Sequence, residues 1–185
     1  MQHFFRTMGW ITTYDIAFKG LKEGLHKFEY EIGTRFFEHF DQSMVDVGNL
    51  KAAVDLEKRS GFMKLYFDIR GWVELTCDRC LEKYRQQVEN TAEIFVKFGE
   101  NDREDDDQVI WILPEEHRIN LAQLIYEYIV LSIPLKHVHP PGENGESGCN
   151  KEMIERLSDH QPGTGENPAG VDPRWEKLKK LRNNN

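Results

Sequence analysis

The chain contains few cysteines and no long apolar run, and each shortage argues against a class of protein. Its 185 residues include three cysteines, which cannot all pair with one another. Two of them are spaced as Cys-x-x-Cys, so we expect reduced thiols in the cytoplasm instead of a disulfide framework. No stretch approaches the ~20 apolar residues of a membrane helix. Residues 1–10 lack the apolar core and cleavage site of a secretory signal, so the sequence predicts a cytoplasmic protein.

The chain also has fewer basic residues than acidic residues. The chain has 24 Lys and Arg residues against 32 Asp and Glu residues, a formal net charge of −8 at pH 7. A phosphate-binding surface needs clustered cations that displace counterions, so broad, direct contact with nucleic acid is disfavoured. An acidic chain instead favours a basic partner, such as a basic protein. The alternative is that this charge simply keeps a small protein in solution.

The motifs of several common enzyme classes are missing as well. The chain has no Gly-x-Ser-x-Gly, no His-Glu-x-x-His, no phosphate-binding loop and no Gly-x-Gly-x-x-Gly. Most of its seven histidines are scattered, and a lone histidine is usually a surface or capping residue. We therefore expect a non-catalytic accessory protein that works by binding and has no small-molecule substrate.

Apolar and polar residues alternate over the first two thirds of the chain, which predicts β-strands. The apolar residues have odd numbers over residues 63–77 and even numbers over residues 84–98. These two segments predict a long hairpin with Cys77 and Cys80 in its turn. Gly71 lies on the apolar face, where a missing side chain permits a bend or a bulge. Further strands are predicted at residues 11–18, 25–32 and 50–57, and one helical turn or loop at residues 35–40.

One amphipathic helix is predicted after the strands, at residues 120–132. Asn120 is a favourable N-cap, and Pro134 ends the helix. Apolar side chains recur with the i, i+3, i+4, i+7 spacing of a buried stripe; they are Leu121, Leu124, Ile125 and Tyr128. The elements together predict an α+β fold, in which one main core helix packs on an antiparallel sheet that could take a barrel-like form.

The chain is predicted to form one domain with two appendages. Residues 1–135 are the β-rich core domain, residues 136–160 are a loop segment, and residues 161–185 are a linker with a flexible, basic C-terminal tail. Residues 161–170 carry three Gly and two Pro, which is a linker composition. The run at residues 100–107 has six acids and one base, and we interpret it as a solvated loop that repels itself.

The cysteine pair in the hairpin turn has the spacing of a zinc knuckle, in which Cys77 and Cys80 point two thiolates at one metal ion. Zinc needs two further ligands. We predict that His139 and Cys149 supply them, with His137 as a substitute for His139. This set would hold one structural zinc ion and would tether the loop segment to the hairpin.

Two other interpretations of the cysteine pair remain open. The thiols could be plain reduced residues at a turn. They could also be a redox pair, which requires a thiolate of lowered pKa, usually at a helix N-terminus. Here the pair follows one strand and leads into another, outside any βαβ pattern, and this placement disfavours redox catalysis.

Three segments of the chain occur in an order that is typical of one family. They are Gly71-Trp72-Val73-Glu74-Leu75-Thr76-Cys77-Asp78-Arg79-Cys80-Leu81, then Ile119-Asn120-Leu121 with Glu127 through Leu131-Ser132-Ile133-Pro134-Leu135, and finally Asp172-Pro173-Arg174-Trp175 with Leu178. In this order they resemble the YceD-like family of large ribosomal RNA subunit accumulation proteins. The resemblance covers roughly residues 60–181, and the N-terminal strands resemble the family only loosely.

The resemblance implies a role in making or stabilising the large-subunit rRNA, without known catalysis. Many relatives carry a cysteine-rich segment after the Ile-Pro-Leu sequence, where this chain has only His137, His139 and Cys149. That departure makes a mixed Cys/His site the natural substitute for a four-cysteine site.

Components of the large ribosomal subunit are therefore the expected partners. The net charge of −8 favours a basic ribosomal protein, for which the chain would be an acidic escort. The rival is direct contact with 23S-type rRNA through the basic tail. Arg79 in the turn and Arg174, Trp175 and Lys177 in the tail are the candidate partner-binding residues. A small zinc- or thiol-dependent enzyme is the alternative from a different class.

Overall fold

An open sheet of five strands carries most of the fold. The computed structural model describes residues 12–99, 108–142 and 144–160. In chain order its strands are β1 (Asp15–Ile16), β2 (Gly24–Gly33), β3 (Gly48–Lys58), β4 (Phe62–Thr76), β5 (Lys83–Phe98), β6 (Val109–Ile112) and β7 (Ile119–Asn120). Strands β2 to β6 form the sheet in that order, antiparallel except that β6 runs parallel to β5. Strands β1 and β7 form a separate antiparallel pair.

Helices add side chains to the hydrophobic core or pack against it. In the described residues they are α1 (Thr34–Phe37), α2 (Ala122–Leu131) and α3 (Lys151–His160), with 3-10 turns at Thr12–Tyr14 and Phe18–Gly20. The Tyr128 ring of α2 meets the Phe67 ring of β4 at a centroid distance of 5.1 Å. The Asn90 side chain of β5 donates to the Tyr128 carbonyl oxygen at 2.6 Å. An aromatic contact and a polar contact thus join α2 to the sheet.

The face of the sheet beneath α2 is the core. Strands β3, β4 and β5 place alternate residues on that face, and most of these residues are apolar and buried. They are Leu50, Ala52, Val54 and Leu56 of β3, Met63, Leu65, Phe67, Ile69, Val73 and Leu75 of β4, and Tyr84, Val88, Ile94 and Val96 of β5. Full burial of one large apolar side chain contributes about 1.5–3 kcal/mol, so this alternation is the main source of stability in the sheet.

The predicted α+β fold class is confirmed, with α2 as the main helix on the sheet. The strands expected at residues 25–32 and 50–57 and the long hairpin are present. Helix α2 begins at Ala122, whose N–H donates to the Asn120 side-chain oxygen at 3.0 Å. The sheet is not closed into a barrel in the described residues, because β2 and β6 each have one neighbour.

The strand predicted at residues 11–18 is wrong for most of its length. Tyr14, Ile16 and Phe18 are buried, as a strand with one apolar face would require. Pairing with β7 nevertheless covers only Asp15 and Ile16, and 3-10 turns replace the strand on both sides. These turns bring the Phe18 ring to a centroid distance of 5.7 Å from the Phe98 ring.

Two sequence predictions fall on parts of the chain that the structure does not describe. The acidic loop at residues 100–107 lies outside the described residues, and so do the linker and basic tail at residues 161–185. Both therefore stay predictions. No helix in the described ranges is long and apolar enough to cross a membrane.

Gly71 marks a close approach between β3 and β4 and not a bulge. The pairing of the two strands continues through it without a break in register, with Gly71 opposite Leu50. Its φ is +153°, a conformation that residues with a side chain rarely adopt. A Cβ at this position would lie 2.3 Å from the Asn49 carbonyl oxygen and 2.5 Å from the Leu50 Cα. The close pairing of these strands therefore requires a glycine.

Replacing Gly71 with alanine should lower the free energy of unfolding by about 3 kcal/mol or more, because backbone strain and a main-chain clash add together. The matched control is Gly61→Ala in the turn before β4, where an added Cβ meets nothing within 4 Å. We expect that control to change stability by less than about 0.5 kcal/mol. Urea unfolding followed by circular dichroism measures both, and equal stability of the two variants would contradict the close approach.

Candidate metal centre

The turn of the β4–β5 hairpin points two thiols inward. The Cys77 N–H donates to the Glu82 carbonyl oxygen at 2.9 Å, and the Leu81 N–H donates to the Cys77 carbonyl oxygen at the same distance. Leu81 closes the turn with a φ of 61°. The side chains of Cys77 and Cys80 are consequently only 0% and 2% exposed, although the turn lies at the end of the sheet.

The chain returns to this turn after α2 through a reciprocal pair of hydrogen bonds between Asp78 and His137. The Asp78 N–H donates to the His137 carbonyl oxygen at 2.7 Å. The His137 N–H donates in return to the Asp78 carboxylate at 2.7 Å. This pair of hydrogen bonds brings His139, two residues further on, to the cysteines.

Cys149 reaches the same point from the start of α3. A Cβ on Gly148 would lie 2.6 Å from the Pro140 carbonyl oxygen, so the backbones of these two loop residues are in close contact. The Asn150 side chain donates to the Glu82 carboxylate at 2.6 Å, and its oxygen accepts from the Met153 N–H at 3.3 Å. Asn150 thereby joins the hairpin turn to the first turn of α3, with Cys149 beside it.

The four donor atoms of Cys77, Cys80, His139 and Cys149 lie within 4.8 Å of one another. The Cys77 and Cys149 sulfurs are 3.8 Å apart, and the Cys80 sulfur is 3.4 Å from His139 Nδ1. Tetrahedral zinc with bonds of about 2.3 Å to sulfur holds its sulfurs about 3.8 Å apart. The three thiols form no disulfide. The cluster can therefore hold one metal ion, and its donor set fits zinc.

The surroundings of the turn favour a thiolate at neutral pH. Burial raises the pKa of the Cys77 thiol, but N–H groups of the turn and of His139 point at its sulfur and bring the pKa down to about 6. Burial raises the pKa of the Cys80 thiol, the N–H groups of Asn150 and Glu82 lower it, and Cys77 raises it further, so that the pKa lies above its usual value. One sulfur is thus ready to act as a ligand, and the second would release its proton to solvent when a metal binds.

Of the two histidines considered, His139 is the one whose ring joins the thiols. The Tyr84 ring of β5 lies at a centroid distance of 5.0 Å from the His139 ring and helps to fix its orientation. His137 instead turns its ring toward Asp78, with 3.9 Å between Nδ1 and the carboxylate. Its backbone, and not its ring, contributes to the centre.

Of the four candidate partner-binding residues, the structure describes one. Arg79 is exposed on the turn, and its N–H donates to the Cys77 sulfur at 3.5 Å. Arg174, Trp175 and Lys177 lie outside the described residues. The sequence analysis missed the supporting residues, which are Asp78, Glu82, Gly148 and Asn150. Three of these adjoin a cysteine in the sequence, and that adjacency is the signal that could have found them.

Most of the hairpin, together with all of α2 and the metal centre, falls within one family match. Residues 65–182 match the family described as large ribosomal RNA subunit accumulation protein YceD. The chain belongs to this family. The resemblance noted in the three sequence segments is thereby confirmed, and the YceD match begins within β4, so that β1 to β3 precede it. No curated protein and no solved structure matches this chain.

The two histidines give a matched test of the metal centre. Untagged protein should contain one zinc ion per chain, measured by elemental analysis after dialysis against a competing chelator. His139→Ala should lose this zinc, because it removes one of the four donors. His137→Ala should retain it, since the backbone hydrogen bonds to Asp78 do not need the ring. Equal zinc contents in the two variants would contradict the assignment of His139.

Proposed function

We propose that this YceD protein is a non-catalytic accessory factor in large ribosomal subunit biogenesis, with one structural zinc ion at its hairpin turn. The family match over residues 65–182 supports the ribosomal role, and the convergence of four protein donors on one buried point supports the structural zinc ion. Four protein ligands fill a tetrahedral zinc site and leave no position for water or substrate. The zinc would therefore organise a binding surface and would not activate a reactant.

The loop after α2 supports a structural role for the metal. It has few apolar anchors: Leu135 is fully exposed, and residues 140–142 and 144–148 are exposed as well. Structural zinc in small finger peptides contributes about 10–16 kcal/mol of apparent binding energy. A whole domain has a net stability of about 5–15 kcal/mol. The metal would thus be the main tether of this loop.

The burial of the thiols argues against the enzyme alternative. A thiol catalyst needs an accessible sulfur, but Cys149 is 6% exposed and the two sulfurs of the turn are more deeply buried. A zinc catalyst needs an open coordination position, which a site with three thiolates and an imidazole lacks. The buried thiols and the filled coordination sphere favour a binding protein over an enzyme.

The proposed partner is a basic protein of the large subunit or an assembly intermediate that contains it. The net charge of −8 favours such a partner, because opposite charge speeds encounter and like charge repels rRNA. The competing proposal is rRNA contact through the basic tail, where Arg174, Trp175 and Lys177 would bind. That proposal rests on the sequence of the tail alone.

Replacing Cys77 with serine should free the loop segment while the sheet stays folded. Zinc loss removes the tether, so residues 136–160 should be cut faster by a non-specific protease. Circular dichroism should still show the sheet, because its core does not depend on the metal. Proteolysis that is unchanged from the wild type would contradict the tethering role of zinc.

A pull-down from cells tests the partner. The protein should carry a tag that does not bind metals, and lysates should be split and treated with or without RNase. We expect large-subunit proteins to co-elute in both samples, because the contact is with protein. Deleting residues 171–185 should leave this binding intact.

The opposite results have definite meanings. Ribosomal proteins that disappear with RNase, together with loss of binding in the tail deletion, would establish RNA contact through the tail. The absence of all ribosomal material would contradict the proposed function, whereas the zinc content would still be decided by the histidine variants.

A further inference from the structure

Strand β2 has a long edge that is unpaired in the part of the chain that the structure describes. Its ten residues pair with β3 along their full length, from Gly24 opposite Lys58 to Gly33 opposite Asn49. On its other side, no strand of the described residues pairs with β2. The strand contains no proline, and its register with β3 has no bulge. Such an edge offers a row of free N–H and C=O groups to another strand.

The charges on the solvent face of β2 would face charges of opposite sign if the strand paired antiparallel with a second copy of itself. Lys27, Glu29 and Glu31 follow one another at every second position, and all three are exposed. Lys27 pairs loosely with Asp55 of β3, at 3.5 Å. Glu29 stands opposite Ala53 and makes no ion pair among the residues that the structure describes. Glu31 likewise makes no ion pair among the described residues, so two negative charges on this edge are left for cations from outside.

We propose that β2 pairs antiparallel with β2 of a second copy of this chain, with Phe28 at the two-fold axis. In that register Lys27 lies opposite Glu29 of the second copy, and the symmetry repeats the pair. The two five-stranded sheets then form one continuous sheet. The inference does not rest on the proposed ribosomal function or on zinc.

Charge selects this register over its neighbours. Centring the pairing on Lys27 places two lysines face to face, and centring it on Glu29 does the same with two carboxylates. Like charges directly opposite each other destabilise a strand pair. An axis between two residues would bring the buried face of one strand beside the solvent face of the other. Among the registers centred from Lys27 to Tyr30, which pair most of the strand, only the one centred on Phe28 avoids both faults, because centring on Tyr30 places Glu29 opposite Glu31.

The core-facing side of β2 also has exposed aromatic surface that a second copy could bury. Phe28 and Tyr30 are only half-buried, and Tyr14 stacks on Tyr30 at a centroid distance of 5.4 Å. In the proposed dimer Phe28 meets Phe28 of the second copy, and Tyr30 lies opposite His26. An interface of one strand pair is smaller than the standard ~800 Å² per partner, so we expect a dimer that dissociates in the micromolar range.

Sedimentation equilibrium of the zinc-loaded, full-length chain tests the proposal. The wild type should be a dimer at tens of micromolar and a monomer on dilution. Glu29→Lys should raise the dissociation constant roughly 10- to 100-fold, because two opposite-charge pairs become like-charge pairs. The double variant Lys27→Glu with Glu29→Lys should restore dimerisation, since it exchanges the two charges.

Glu31→Lys is the matched control. It changes the net charge by the same amount, but Glu31 lies opposite the uncharged Leu25 of the second copy. We expect it to change the dissociation constant less than about 3-fold. A wild type that stays monomeric at every concentration would overturn the proposal. So would a dimer that Glu29→Lys leaves intact, or one that both lysine variants weaken equally.

A cross-link gives a readout that does not depend on charge. Phe28→Cys should form a covalent dimer under mild oxidation, because the two new thiols face each other at the axis. His26→Cys should not do so, since these thiols would be about 13 Å apart, four residues out of register. Circular dichroism should first establish that both variants are folded. Cross-linking of His26→Cys in preference to Phe28→Cys would overturn the register.

Discussion

The register of the β4–β5 hairpin is the constraint on which the rest of the structure depends. Its pairing runs without a break from Phe62 opposite Lys97 to Thr76 opposite Lys83. A slip of one residue would turn every buried side chain of one strand toward solvent. The same register decides where the turn falls, and therefore where Cys77 points.

Different forces hold the two ends of the molecule. The sheet is held by burial of alternate apolar side chains under α2, which needs no ligand. The loop that carries His139 and Cys149 is held by a few hydrogen bonds to the turn and by the geometry of four donors. Loss of a metal would therefore affect the loop and spare the sheet. A surface built from the loop and the turn could be rigid only while the donors are held together.

On the solvent face of the sheet, some charged side chains form ion pairs within the chain, and others are left free to contact partners. Lys64 pairs with Glu93 at 2.8 Å, and Lys83 pairs with Glu74 at 2.7 Å. Exposed ion pairs of this kind contribute roughly 0–1 kcal/mol to stability. Their main effect is to neutralise charge on this face of the sheet. At the β2 edge this neutralisation is incomplete. Because β3 separates β2 from β4, a contact at that edge leaves the hairpin turn accessible.

The sequence by itself determined the elements whose signal is local: the alternating strands of the hairpin, the cysteines in its turn, and the periodic helix α2. It did not reveal β6, whose four residues do not alternate and pair in parallel with β5, or α3, which has no fully buried residue. Only the tertiary structure decided which histidine approaches the thiols, because that choice depends on the backbone contact between His137 and Asp78. The need for glycine at position 71 was likewise decided by its approach to β3. Both depend on contacts between residues far apart in the chain, and such contacts leave no periodic trace in a sequence.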